Sequence, residues 1–243
     1  MPPTIDVVIP AYNEEASLPL VLAAVPRPPV RRIIVVDNAS TDTTARAARA
    51  GGAVVVREER QGYGSACLTG LAHLRADSPP SIVVFLDGDY SDSPEELPDL
   101  VAPIADGRAD LVIGSRVQGQ RQAGALLPQA RAGNLVACLL IRLLYRHRYT
   151  DLGPFRAIRW DALEDLEMQD QDFGWTAEMQ VKALKQGLSV LEVPVSYRRR
   201  IGVSKITGTV KGTLAAGYKI LYTVLRYSGR RHGSDTANTQ PPA

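Results

Sequence analysis

Short apolar runs alternate with amphipathic stretches along the first half of the chain. Ile5-Asp6-Val7-Val8-Ile9-Pro10 reads as a buried strand stopped by proline, and Arg32-Ile33-Ile34-Val35-Val36-Asp37 as a second. Ala53 to Arg57, Ser81 to Leu86 and Asp110 to Gly114 share that length and β-branched character. Helix signals stand between them. Asn13 is placed to cap a helix, with Glu14 and Glu15 in the first turn where the dipole favours acids. Ser40 is placed to cap an Ala-rich helix reaching Ala50, and Gln61 to Gly64 turns into a helix from Ser65 to Arg75. Ser93-Pro94-Glu95-Glu96 spells a capping box with proline at the first helical position. Apolar strands alternating with capped helices predict an α/β fold, with a mainly parallel Rossmann-like sheet flanked by helices.

The second half is less regular. Gln118 to Gly133, rich in Gly, Gln and Arg, is expected to form a mobile loop before a helix over about 134–146. Phe155 to Arg159 reads as a strand, Thr176 to Gln186 as a helix and Ser189 to Val195 as a strand. A last helix is expected from Gly208 to Tyr227, and the polar tail over 229–243 has the composition of a disordered segment. The pattern predicts one domain over 1–228, with a nucleotide-binding half over about 4–115, a second half over about 116–206 and the final helix.

Composition narrows the class. A chain of 243 residues with a 45% apolar fraction suits one large α/β domain with a full core. The net charge of +2 is too small for a general nucleic-acid binder, and no nucleic-acid partner is expected. Cys67 and Cys138 lack metal-ligand spacing and read as buried thiols. No basic stretch followed by a long apolar segment marks a secretory signal. Leu135 to Leu144, interrupted by Arg142, is too short to span a bilayer of about 30 Å. From Gly208 to Tyr227, Val210, Leu214, Tyr218, Leu221 and Leu225 recur at helical spacing beside Lys211, Lys219 and Arg226. Such a helix lies on an anionic membrane, packs on its own domain or joins a homo-oligomer.

Candidate chemistry gathers at strand ends. Asp87-Gly88-Asp89 directly follows a strand, Asp37 ends another and Glu14 follows the first, so all share one edge of a parallel sheet. An Asp-Gly-Asp alone also makes an ordinary turn. Paired with a nucleotide, the two carboxylates suit Mg²⁺ or Mn²⁺, which neutralises a diphosphate, while acidic groups such as Asp37 accept hydrogen bonds from base and ribose.

Pro10-Ala11-Tyr12-Asn13-Glu14, Val35-Val36-Asp37-Asn38-Ala39-Ser40-Thr41-Asp42 and Asp87-Gly88-Asp89 resemble the family 2 inverting glycosyltransferases of GT-A fold. Glu192 to Arg200, followed by Gly202-Val203-Ser204-Lys205, resembles the branch that transfers sugars to polyprenyl or dolichyl phosphate. The match runs in order over about 4–206, so the second half becomes an acceptor half. The resemblance implies a UDP- or GDP-hexose donor, a divalent metal and a polyprenyl phosphate acceptor. By it, Pro10, Tyr12, Glu14, Asp37, Asp87 and Gly88 hold the nucleotide sugar, and Asp87 and Asp89 the metal. Arg116, Arg131 and Ser204 match positions for the acceptor phosphate, and Arg200 and Lys205 those for the reacting phosphates. Asp151, in Thr150-Asp151-Leu152-Gly153-Pro154-Phe155-Arg156, matches a segment near the acceptor and either serves as a base or orients a loop; Glu178 is a second candidate base. The expected place is the cytoplasm, at the membrane face that carries the lipid.

Rival readings differ at named positions. A soluble or protein-bound hydroxyl acceptor keeps the donor chemistry. A nucleotidyltransferase needs a Gly-rich basic loop where Ala11-Tyr12-Asn13-Glu14 stands, and a dinucleotide oxidoreductase needs a G-x-G-x-x-G there. A non-catalytic sensor of sugar nucleotides would bind the donor without turnover.

Overall fold

The computed structural model describes residues 2–202 and 210–228. Seven strands form one sheet in the order β3-β2-β1-β4-β6-β5-β7. Their ranges are β1 Ile5–Ala11, β2 Val30–Asn38, β3 Val54–Glu58, β4 Ile82–Phe85, β5 Leu111–Ser115, β6 Arg156–Arg159 and β7 Val190–Pro194. The helices are α1 Leu18–Ala24, α2 Thr44–Ala50, α3 Tyr63–Ala76, α4 Leu97–Ala105, α5 Pro128–Tyr145, α6 Trp160–Asp165, α7 Trp175–Gln186 and α8 Val210–Arg226.

Both faces of the sheet are covered, which is why the middles of its central strands run continuously apolar rather than alternating. Val8, Ile34, Val36, Val83 and Phe85 pack under α3, α5 and α7 on one face. Val7, Ile9, Ile33, Val35 and Val84 pack under α1, α2 and α4 on the other. β1 pairs in parallel with β2 on one side and β4 on the other. The chain thus reverses its direction of winding at β1, and the crevice beyond the carboxyl ends of β1 and β4 is the natural ligand site of such a sheet.

β6 alone runs antiparallel, with Phe85 opposite Arg156 and Ile113 opposite the same residue. Its start, not its end, therefore lies at the carboxyl edge of β4. That reversal carries Thr150 to Pro154 to the edge already occupied by Asp87 and by Arg116, which follows β5.

Four local expectations change. Asn13 caps no helix: it has a φ of 52°, and α1 begins only at Leu18 with Pro19 in its first turn. Ser40 also caps none, because α2 starts at Thr44, whose amide donates to Asp42 at 2.9 Å. The Ser93 box does not close, since the Glu96 carboxylate accepts from the Ser196 amide at 2.7 Å instead. Pro128 opens α5 six residues before the expected Asn134, so part of the expected mobile loop is helix. The short α6 carries no signal in the hydrophobic pattern. Among the described residues no helix is long and apolar enough to cross a membrane.

Candidate active site

The loops after β1 and β2 are laced together. The Asn13 amide donates to Ser40 Oγ at 3.0 Å, the Thr41 amide to Asn13 Oδ1 at 2.8 Å and the Glu14 amide to Thr44 Oγ1 at 2.8 Å. Asn13 and Ser40 thus work as cross-loop ties. They hold Glu14 with its carboxylate nearly buried, where Ser17 Oγ donates to it at 2.7 Å. Beside it, Tyr90 takes a φ of 61° and the Ser91 amide donates to Asp89 Oδ1 at 2.9 Å, a side-chain-closed turn that fixes Asp89.

A cavity of about 410 Å³ opens between them. Its wall includes Pro10, Tyr12 and Glu14 after β1, Asp87, Gly88 and Asp89 after β4, and Arg200 from the segment after β7. Seven residues singled out in the sequence therefore converge on one cavity of the size of a small-molecule site. Arg200 arrives because the segment after β7 runs along the 89–93 turn: Arg198 N donates to Ser91 O at 2.8 Å and Ile201 N to Asp89 O at 3.0 Å. Arg198 is anchored over the Tyr90 ring at 4.3 Å and on Glu95 at 2.6 Å. One terminal nitrogen of Arg200 then lies 3.2 Å from both Glu14 and Asp89.

The acidic end of the cavity is electrostatically strained. Burial, then the neighbouring Asp89 charge, push the Asp87 carboxyl up to about 7, with Arg200 opposing. Asp87 Oδ1 and the Arg200 Nε are buried without hydrogen-bond partners. Asp92 lies deeper, both its oxygens unpartnered, and burial with the Asp87 and Asp89 charges holds it far above the usual carboxylate range. Uncompensated carboxylates of this kind fit a hard divalent cation that takes its other oxygens from a diphosphate. Among the described residues no group of three or more acidic, histidine or cysteine side chains is arranged to hold a metal ion by itself.

The remaining wall comes from Ala11 and Asn38, which lie in the quoted motifs without an assigned role, and from Gln61, Gly62, Tyr63, Asp172 and Phe173, which the sequence did not mark as site residues. Loop 169–174 packs backbone to backbone on the start of α3, with Ser65 N donating to Gln171 O at 2.9 Å and Gly64 N to Asp172 O at 3.2 Å. A Cβ on Gly62 would stand 2.3 Å from Gln171 O, and one on Gly64 2.0 Å from Asp170 O. Only glycine permits this approach. Gly88 differs, since an added Cβ there meets ordinary contacts at 3.6 Å.

Other expected site residues lie outside this cavity. Asp37 is buried one strand away, accepting from Arg57 at 2.6 Å and from the Ser40 amide at 3.1 Å. Arg116 and Asp151 face each other: Arg116 Nε, Nη2 and backbone amide all donate to the Asp151 carboxylate at 2.7 to 2.8 Å. Burial disfavours the Arg116 charge, but Asp151 outweighs it and raises Arg116 further. Neither group is open to a phosphate or a proton donor in this arrangement. Arg131 lines a second cavity of about 390 Å³ with Arg121, Asn134, Thr150 and the apolar Val117, Leu126, Pro128 and Leu135. Glu178 is fully buried, accepting from the Gln169 and Asp170 amides and the Tyr227 hydroxyl beside Lys182, so it holds loop 169–174. Ser204 and Lys205 lie outside the described residues.

Comparison with known proteins agrees with this geometry. The family model described as glycosyl transferase family 2 matches residues 6–166. An uncharacterized glycosyltransferase of Mycobacterium tuberculosis is 43% identical, over 87% of this chain and 94% of the relative. The undecaprenyl-phosphate mannosyltransferase of Micrococcus luteus is 30% identical, over 92% of this chain and 96% of its own. Among solved structures, glucosyl-3-phosphoglycerate synthase from Mycobacterium tuberculosis, in complex with Mn²⁺, uridine diphosphate and phosphoglyceric acid, superposes with a TM-score of 0.75. It is 26% identical, over 93% of this chain and 79% of that one. With a GT-A sheet, an acidic pair at its switch point and the family match across most of its length, the chain belongs to glycosyl transferase family 2 and is a hexosyltransferase.

Proposed function

We propose that this enzyme transfers a hexose from UDP- or GDP-hexose to a polyprenyl phosphate, with inversion at the anomeric carbon. The observation that carries the reading is the convergence of Glu14, Asp87, Asp89 and Arg200 on one cavity beyond β1 and β4. The likeness to an undecaprenyl-phosphate mannosyltransferase over nearly the full length of both chains supports the acceptor class.

Pro10, Tyr12 and Glu14 line the end that receives the nucleoside. Asp37 supports that end from outside the wall, through Arg57 and the Ser40 amide. Asp87 and Asp89 would hold the cation, and Mg²⁺ or Mn²⁺ there would supply charge that neutralises the diphosphate and favours its departure. Arg200 moves from its two carboxylates to phosphate oxygens, and Lys205 joins it on the leaving group or the acceptor. Arg131, with Arg121 in the second cavity, receives the acceptor phosphate, and Ser204 contributes from the segment after Arg200. A phosphate monoester carries close to two charges at neutral pH, its second pKa being about 6, and attacks without a base. Asp151 then positions Arg116 and the β6 entry. Attack opposite the departing diphosphate inverts the configuration. The reading places the enzyme at the cytoplasmic membrane face as a peripheral protein, alone or as a homo-oligomer.

A second reading uses a soluble hydroxyl acceptor. It is favoured by the phosphoglyceric acid in the solved neighbour. The two separate in one assay. The chain is incubated with labelled UDP- and GDP-hexoses, Mn²⁺ or Mg²⁺ and a short polyprenyl phosphate, and the organic phase is counted. Label there that vanishes in Asp89→Ala supports lipid transfer; metal-dependent donor binding without it overturns that acceptor.

A further inference from the structure

α5 has apolar residues on both of its faces. Ala137, Cys138 and Ile141 are buried against the core. At 100° per residue, Leu135, Val136, Leu139 and Leu143 centre on the opposite side. They are 69%, 50%, 51% and 70% exposed. Core packing explains the first stripe and leaves the second unaccounted for. α8 packs beside α5, with the Tyr145 hydroxyl donating to Val224 O at 2.8 Å. It too presents an outward stripe: Tyr218, Tyr222 and Leu225 are exposed while Val224 is buried, and the two tyrosine rings stack at 6.1 Å.

The charged residues of α5 and α8 themselves are of one sign, and of these Lys219 is paired with Asp170 and Asp172 of the neighbouring loop. Leu111 to Thr150 contains no acidic residue and six arginines. Arg116 is consumed by Asp151. Arg142, Arg146 and Arg148, at the exposed carboxyl end of α5, form no ion pair among the described residues. Arg226 extends the same charge to the end of α8. We propose that the outward faces of α5 and α8 dock on an anionic lipid surface, apolar side chains in the acyl boundary and arginines among the head groups. Exposed leucine flanked by unpaired arginine and amphipathic tyrosine is the composition such an interface selects. A second copy of the chain fits less well, because a two-fold contact through this face brings like-charged arginines together.

The inference rests on the lipid-acceptor reading for its purpose and on the surface alone for its evidence. The test therefore uses vesicles without any polyprenyl phosphate. The full chain is floated with equimolar phosphatidylcholine and phosphatidylglycerol vesicles, and with phosphatidylcholine alone. Binding is expected only to the anionic vesicles, weakening with added salt. Combined Leu139→Asp and Leu143→Asp is expected to reduce the bound fraction about tenfold or more, and Arg142→Glu with Arg146→Glu to remove its salt dependence. Hydrolysis of soluble donor should stay unchanged in both, which shows that they fold. If the chain remains in solution with anionic vesicles, the inference falls. It also falls if the leucine variants bind normally while sedimentation shows a dimer becoming a monomer, for then the face joins two copies. Vesicle binding without sugar transfer to a short polyprenyl phosphate would sink the acceptor reading and leave this surface standing.

Discussion

Asp87 and Asp89 are one residue apart in different electrical surroundings. Asp89 has Arg200 on one oxygen and the Ser91 amide on the other. Asp87 is buried with one oxygen unpartnered and pushed up to about 7 from an ordinary 3.8. A carboxyl raised in the folded state stabilises the fold fully below its ordinary value, and that contribution fades as pH rises through the folded one. The metal-free protein should therefore lose stability between about pH 4 and 7, by on the order of 4 kcal/mol for Asp87 alone. Denaturant titrations across that window should show the loss, a reduced slope in Asp87→Asn, and recovery with Mn²⁺ and UDP. An unchanged slope in Asp87→Asn would assign the loss elsewhere, Asp92 first. At the same scale, the proposed role of Arg200 at the leaving group predicts that Arg200→Ala lowers kcat by about a hundredfold or more. Arg200→Lys should recover part of that, because lysine restores the charge without the fork.

Elements explain what the sequence could and could not reveal. β1, β2 and β4 were legible because each is a buried apolar run ended by proline or acid. The residues that follow β1 and β4 and line the cavity were legible with them, whereas Asp37 at the end of β2 lies outside it. The direction of β6 was not, because Arg156 to Arg159 carries no record of which neighbour it pairs with. Asn13 and Ser40 looked like caps because cap residues and cross-loop ties share the same short polar side chains. Gln61 and Asp172 were missed for a related reason: they reach the cavity through loop packing, which has no period. That packing is also tied to α8. Lys219 lies 3.1 Å from Asp170 and 3.7 Å from Asp172, and the Tyr227 hydroxyl donates to Glu178 at 2.8 Å. Lys219→Met should loosen loop 169–174 and raise donor KM several-fold, on the order of 1 kcal/mol for a half-exposed pair, with little change in kcat. An equal fall in kcat with KM fixed would point instead to a role in the transition state.

Across the molecule, Asp151 acts as a junction between strands. Its carboxylate holds Arg116 after β5, its amide donates to Glu192 of β7 at 3.0 Å, and its carbonyl accepts from Gln180 of α7 at 3.1 Å. Asn134 of α5 accepts from the Leu152 amide at 2.9 Å. Replacing Asp151 by alanine leaves a buried guanidinium without its partner, which costs about 3–5 kcal/mol. For a chain of this size that lowers Tm by on the order of 10 °C in a thermal melt. Asp151→Asn should likewise destabilise, yet keep the pH dependence of kcat. Loss of the acidic limb of that profile, which a general base governs because it acts only when deprotonated, would restore Asp151 as a base.

The glycines beneath loop 169–174 bear on how this enzyme can change its donor. Two backbones touch there with no room for a Cβ, so that part of the wall offers nothing for substitution to adjust. Variation that alters sugar or base preference is confined to the side chains around it, Gln61, Asp172 and Phe173 among them. In a saturation library selected for transfer, Gly62 and Gly64 should tolerate as little as Asp89 does, while Gly88 accepts alanine and the three neighbouring positions diversify.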